Sequence, residues 1–160
     1  MDTNRLLTAS HQLKKKYTRL PLDEPNPAFK NETGIWTPIL TIRVGSNHKQ
    51  TPRFPAIVDS GSPCCLFKAD IADYLGISLT NGIEAKIGGI SQGMSEPVYF
   101  HRIKIYIEID WVIDVTAGFI KKLSVAGILG RNGFFDNFVV NFDHSSLPPV
   151  LEITKASKIQ

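Results

Sequence analysis

The stretch of sequence that decides the fold is Phe54-Pro55-Ala56-Ile57-Val58-Asp59-Ser60-Gly61-Ser62. Ile57 and Val58 are β-branched and favour a buried strand. Asp59 follows at once, and Gly61 permits a tight turn that a residue with a Cβ would resist. Asp, Ser and Gly also dominate ordinary turns, so the triplet alone does not define a site. The segment predicts a strand that could hold one carboxylate rigidly at its end.

The remaining apolar patterns predict an all-β chain with one or two short helices. Spacing i, i+3, i+4 in 68–75 predicts a helix whose buried face carries Ile71, Tyr74 and Leu75, and Gly76 ends it. A second, aromatic helical turn is expected after Gly133. Strands are predicted at 35–44, 54–58, 83–90, 103–109, 112–119, 127–129, 139–142 and 150–154. Strands thus outnumber helices several-fold.

Length and composition restrict the class of protein. The 160 residues suit one domain, predicted at 35–154, with an N-terminal arm at 1–34 and a tail at 155–160. The arm is expected to be partly ordered at best, with a short strand possible near 17–22. The net charge of +3 comes from scattered cations, so no nucleic-acid surface is expected. No apolar run is long enough to span a bilayer or resembles a secretory signal, so no membrane partner is expected.

The cysteines and histidines indicate neither a disulfide nor a metal site. Cys64 and Cys65 are adjacent and poorly placed to pair, which fits a reducing, cytoplasmic setting. The four histidines are dispersed and lack the spacing of metal ligands. We therefore expect no metal and no cofactor.

Three short motifs follow one another along the chain: Ile57-Val58-Asp59-Ser60-Gly61-Ser62, Lys86-Ile87-Gly88-Gly89-Ile90, and Ile128-Leu129-Gly130-Arg131-Asn132. Each motif is weak alone, but together they resemble the retropepsin-like aspartic proteases. The following Gly133-Phe134-Phe135 and Asn141-Phe142-Asp143 look like the bacterial and cellular branch of that family. The resemblance covers residues 35–154. It implies a closed β-barrel of the acid-protease fold that acts as a two-fold dimer.

The resemblance also implies roles for the matched residues. Asp59 would be catalytic, and Ser60, Gly61 and Ser62 would form the active-site loop, with the Ser62 hydroxyl donating to the carboxylate. Ile87, Gly88, Gly89 and Ile90 would form a flap that closes over an extended peptide. Gly130, Arg131 and Asn132 would support the loop, Arg131 as a structural hydrogen-bonding residue. Ile90 and Leu129 are expected to line apolar substrate pockets.

If the chain is such an enzyme, the number of catalytic carboxylates requires a dimer. Aspartic protease chemistry uses two carboxylates about 3 Å apart that share one proton. This chain has one Asp-Ser-Gly and no second Asp-Thr/Ser-Gly. A homodimer would place Asp59 opposite Asp59 of its partner across the two-fold axis. The predicted function is therefore an aspartic endopeptidase, a hydrolase that cleaves peptide bonds of a peptide or protein substrate.

Two features depart from the retroviral pattern. Pro63 and Cys64 stand where the retroviral enzymes carry acidic residues, and the predicted helix at 68–75 has no counterpart there. The arm matches nothing in that pattern and could cap the groove, cover the dimer edge or be removed by self-cleavage. The alternative function is a catalytically silent dimeric β-barrel that binds peptide or protein partners, because a fold does not imply a function.

Overall fold

The computed structural model describes residues 11–47, 49–87, 96–108 and 110–157. One α-helix, α1 (Ala69–Tyr74), and a single turn of 3-10 helix (Leu79–Asn81) accompany the strands in these ranges. The strands are β1 (Gln12–Lys16), β2 (Thr18–Pro21), β3 (Gly34–Thr37), β4 (Ile39–Ser46), β5 (Lys49–Gln50), β6 (Phe54–Val58), β7 (Leu66–Lys68), β8 (Ile83–Ala85), β9 (Val98–Glu108), β10 (Trp111–Ile120), β11 (Gly127–Leu129), β12 (Phe138–Asp143) and β13 (Val150–Lys155). The expected nearly all-β fold is confirmed.

Six of these strands close into a barrel. The largest sheet runs β5-β4-β6-β11-β7-β10-β9-β8, and β4 also pairs with β9. That extra pairing joins β4, β6, β11, β7, β10 and β9 into a ring, which removes the open edges that a flat sheet would leave. Two short parallel pairings, β6 with β11 and β7 with β10, lie within this ring.

The long hairpin of β9 and β10 supplies much of the barrel wall. Ile103, Ile105 and Ile107 are buried on one face of β9, while Lys104 points to solvent. This alternation is the period of a half-buried strand, as predicted. The antiparallel register pairs Ile105 with Ile113, so both strands turn the same apolar face inward.

Proline 38 divides the strand that was predicted at 35–44. β3 ends before Pro38 and pairs with β2, whereas β4 begins after it and pairs with β6. Proline has no N–H to donate to a ladder, so a strand breaks there readily. The carbonyl of Pro38 still accepts a hydrogen bond from the Val58 N–H at 2.9 Å, which keeps the break close to the end of β6.

The segment before residue 34 contains more structure than expected. β2 lies within the predicted range, but β1 was missed. β1 pairs antiparallel with β13, which pairs with β12, to form a separate three-stranded sheet. Tyr17, next to β1, is buried, and its hydroxyl lies 3.2 Å from Nε2 of His144. The boundary proposed at residue 34 stays a prediction.

Helix α1 lies within the predicted range 68–75 and is one residue shorter at each end, and its buried face differs from the predicted one. Gly76 follows it with a φ of +73°, the left-handed conformation of a helix-ending glycine. Ala72 and Leu75 are buried, while Tyr74 is 46% exposed and has the Lys49 ammonium 4.4 Å from its ring centre. The prediction that Tyr74 faces the core was wrong, since the side chain is exposed and its ring contacts Lys49 at the surface.

One apolar core joins the barrel to the three-stranded sheet. Phe67, Phe119 and Phe134 are fully buried, and the core continues into Leu151 and Ile153 of β13. The aromatic segment after Gly133 forms turns rather than the short helix expected there. Across the ranges that the structure describes, no helix is long and apolar enough to cross a lipid bilayer.

Candidate active site

Asp59 lies at the end of β6, immediately past its pairing with β11. Its backbone N–H donates to the Leu129 carbonyl at 3.0 Å, which extends the parallel ladder by one bond. Its carboxylate Oδ1 accepts a hydrogen bond from the Gly61 N–H at 2.8 Å, and its carbonyl accepts one from Ser62 N–H at 3.2 Å. The side chain is half-buried. The loop therefore fixes one oxygen of the carboxylate by a backbone donor.

The backbone of Gly130, Arg131 and Asn132 packs against the backbone of the active-site loop. The Arg131 N–H donates to the Ser62 carbonyl at 2.9 Å, and the Asn132 N–H donates to the Pro63 carbonyl at 3.0 Å. A Cβ on Gly130 would lie 2.1 Å from the Cys64 carbonyl oxygen, so only glycine permits this approach. Arg131 bonds to the loop through its backbone N–H, and the residue is exposed.

Ser62 makes a different hydrogen bond from the one expected. Its Oγ donates to the Cys64 carbonyl at 2.8 Å, and the residue is 8% exposed. The expectation that it donates to the Asp59 carboxylate was wrong. A serine hydroxyl has one proton, and the carbonyl two residues on is within easy local reach. Ser62 thus stabilises the loop itself.

The active-site loop forms one side of a cavity of about 370 Å³. The cavity is mainly apolar, with two carboxylates among its described lining residues, and its walls come from β7, β9, β10, β11 and the adjoining loops, including the loop after β6. The lining residues are Asp59, Gly61, Ser62, Leu66, Ile87, Glu96, Val98, Ile120, Leu123 and Ile128. A concave apolar space with a few polar groups is the usual form of a small binding site.

The predicted flap is described only at its first residue. Ile87 is partly buried and lines the cavity. Gly88, Gly89 and Ile90 lie outside the described residues. The other predicted pocket residue, Leu129, is fully buried in the core, and its neighbour Ile128 lines the cavity instead. Successive residues of a strand face opposite sides, so the prediction was wrong by one position.

Glu96 is a lining residue that the sequence analysis missed. One carboxylate oxygen lies 3.1 Å from the Lys122 ammonium, and the other accepts a hydrogen bond from the Lys122 N–H at 3.3 Å. The two residues are brought together by the β9–β10 hairpin, which joins residues distant in sequence. No local sequence pattern marks such a pair, so only the strand register could have identified it.

Both thiols lie behind the loop and are unpaired with each other. Burial raises the pKa of Cys64, and it raises the pKa of Cys65 to about 11. Because the thiolate is the reactive form, neither sulfur is an effective nucleophile near neutral pH. Within the described ranges, no three His, Cys, Asp or Glu side chains come together as metal ligands would.

Comparison with solved structures shows a likeness of fold. No family model matches the sequence, and no curated protein matches it. The structure is similar to the crystal structure of a retropepsin-like aspartic protease from Rickettsia conorii, with a TM-score of 0.49 and 13% sequence identity. The similarity covers 91% of this chain and 93% of that one.

Proposed function

We propose that this chain is an aspartic endopeptidase whose site is assembled from two copies of Asp59. The observation that carries the proposal is the half-buried Asp59 carboxylate, held by the Gly61 N–H at the mouth of an apolar cavity. A fixed carboxylate beside a space for an apolar side chain suits hydrolysis of a peptide bound in extended form. The motifs flanking Asp59 support the same class of reaction.

The proposed reaction needs both carboxylates in one site. Like charges so close cannot both ionise, so the pair shares one proton and titrates in two separate steps. The ionised carboxylate would take a proton from a water, whose oxygen adds to the substrate carbonyl carbon. The protonated carboxylate would donate to the carbonyl oxygen. Proton transfer to the amide nitrogen then breaks the C–N bond and releases a carboxylic acid and an amine.

The test is cleavage of a mixed peptide library between about pH 4 and pH 7, the range in which a carboxylate pair commonly works. Wild type should cleave, and Asp59→Asn should not. Asp73→Asn is a matched control, because it makes the same chemical change at an exposed residue of α1. Equal cleavage by wild type and Asp59→Asn would refute the assignment of Asp59.

A mixing experiment tests the shared site. Wild type and Asp59→Asn chains are combined in equal amounts and allowed to exchange. If each site needs two Asp59 carboxylates, activity per wild-type chain should fall to about half, because mixed dimers are inactive. Unchanged activity per wild-type chain would contradict a site built from two copies.

The setting we propose for the protein is a reducing one, such as the cytoplasm. Cys64 and Cys65 are both free and buried, and free thiols persist where reductants keep them reduced. If wild type and Asp59→Asn both fail to cleave, the non-catalytic peptide-binding barrel becomes the better description.

A further inference from the structure

We infer that Glu96 gives this site a preference for a basic side chain, lysine or arginine, at the substrate position that enters the cavity beside Asp59. The inference rests on the proposed function for its substrate, a peptide, and adds the chemical class of one residue of that peptide. It assigns Glu96 a role in specificity, not in the bond-breaking steps.

The cavity has the chemical form that a long basic side chain requires. Its wall is largely aliphatic, with Leu66, Val98, Ile120 and Ile128 among the lining residues. Among the described residues that line the cavity, Glu96 is the one carboxylate besides Asp59. A lysine or arginine could lay its methylene stem along the aliphatic wall and direct its charge to Glu96. A wholly apolar side chain would leave that carboxylate without a substrate contact.

The present partner of Glu96 is easily exchanged. The Glu96 side chain is 26% exposed, whereas Lys122 is 81% exposed and its ammonium is 3.1 Å from the carboxylate. An ion pair with so exposed a cation contributes little free energy, because water and salt compete for the ammonium. The Lys122 N–H also donates to Glu96, and this backbone bond can hold the carboxylate in place if the ammonium leaves.

The two sides of this ion pair give variants with opposite predicted effects. Glu96→Gln removes the charge that would attract a basic residue, and Lys122→Met removes the cation that competes with it. If the pair were only structural, both variants would break the same contact and change activity in the same direction. Lys104→Met is the matched control, because Lys104 is an ion-paired lysine of β9 that does not line the cavity.

The probes are peptides with an extended apolar core in which lysine or norleucine, nearly equal in length, is placed at each position in turn. The measured quantity is the lysine-to-norleucine ratio of kcat/KM. At one position we expect wild type to favour lysine by about three- to tenfold. The ratio should fall to about one in Glu96→Gln, rise in Lys122→Met and stay unchanged in Lys104→Met.

Binding to the Asp59→Asn variant separates this inference from the proposed function. The dissociation constants of the same peptides are measured near neutral pH. A lysine preference that depends on Glu96, without any cleavage by wild type, would support the inference and refute the peptidase. Cleavage without a lysine preference, or parallel changes in both variants, would overturn the inference. Absence of both binding and cleavage would refute both.

Discussion

Substitution of Gly130 by alanine should destabilise the protein and disorganise the loop that carries Asp59. The added Cβ would lie 2.1 Å from the Cys64 carbonyl oxygen, 2.5 Å from its carbon and 2.9 Å from the Ser62 carbonyl oxygen. All three are backbone atoms, so no side-chain rotation can relieve the overlap. The two chain segments must separate.

The loss of stability can be worked out from the contacts that separation of the two segments weakens. Overpacking a close contact costs about 1–3 kcal/mol. Separation also weakens the hydrogen bonds from Arg131 N–H to Ser62 and from Asn132 N–H to Pro63, each contributing about 1 kcal/mol. The free energy of unfolding should therefore fall by about 3–5 kcal/mol, which corresponds to roughly 6–20 °C in Tm for a chain of this size.

Urea unfolding followed by tryptophan fluorescence measures this loss, and Gly76→Ala is the control. Gly76 also has a special conformation, with a φ of +73°, but a Cβ there would meet no atom within 4 Å. Gly76→Ala should lower the free energy of unfolding only by the strain of a left-handed residue with a Cβ, about 1–2 kcal/mol. If Gly130→Ala is no less stable than Gly76→Ala, the close crossing of the two segments does not constrain the loop as we argue.

Three further predictions concern the core behind the loop. Ser62→Ala should lower the free energy of unfolding by about 1–2 kcal/mol, because the Cys64 carbonyl loses its donor; wild-type stability in urea would contradict this. Folding raises the pKa of the Cys65 thiol from 9.0 to about 11, so its stabilisation is intact below pH 9.0 and is lost as the pH rises towards about 11. Urea unfolding in reducing buffer should show this loss, and a Cys65→Ala variant that retains it would exclude Cys65 as its cause. Phe134→Ala should cost about 3–5 kcal/mol in urea unfolding, more than the same change at the partly buried Phe135; equal losses would refute the packing argument.

The barrel strands were predictable because their signals are local. The alternation in β9 reflects a strand with one buried face, and the apolar run of β6 reflects a buried strand. A short window of sequence can show either pattern. The position of Asp59 at the end of β6 follows from the same run. β1 gave no such signal, because its sequence Gln-Leu-Lys-Lys-Lys has one apolar residue and its pairing depends on β13.

The details of the site were less predictable. Some depend on contacts between segments distant in sequence, and others depend on which of several nearby hydrogen-bond acceptors or strand faces is used. Ser62 could have bonded the carboxylate or the Cys64 carbonyl, and sequence does not decide between two acceptors within reach. Ile128 and Leu129 differ by one position in a three-residue strand, too short for alternation to fix which one faces the cavity. Glu96 required the register of the hairpin that brings Lys122 to it.

The pairing of β1 with β13 has a consequence for the order of events during synthesis. Gln12 pairs with Thr154, so the first strand of the described chain has to wait for nearly all the rest to be translated. At ordinary ribosomal speeds that delay is roughly 7–30 s. Over that interval Leu13 cannot pack against the core, and the nascent chain has an unpaired segment that could pair with another strand. The like charges of the three lysines of β1 then oppose its pairing with another strand until β13 has been synthesised.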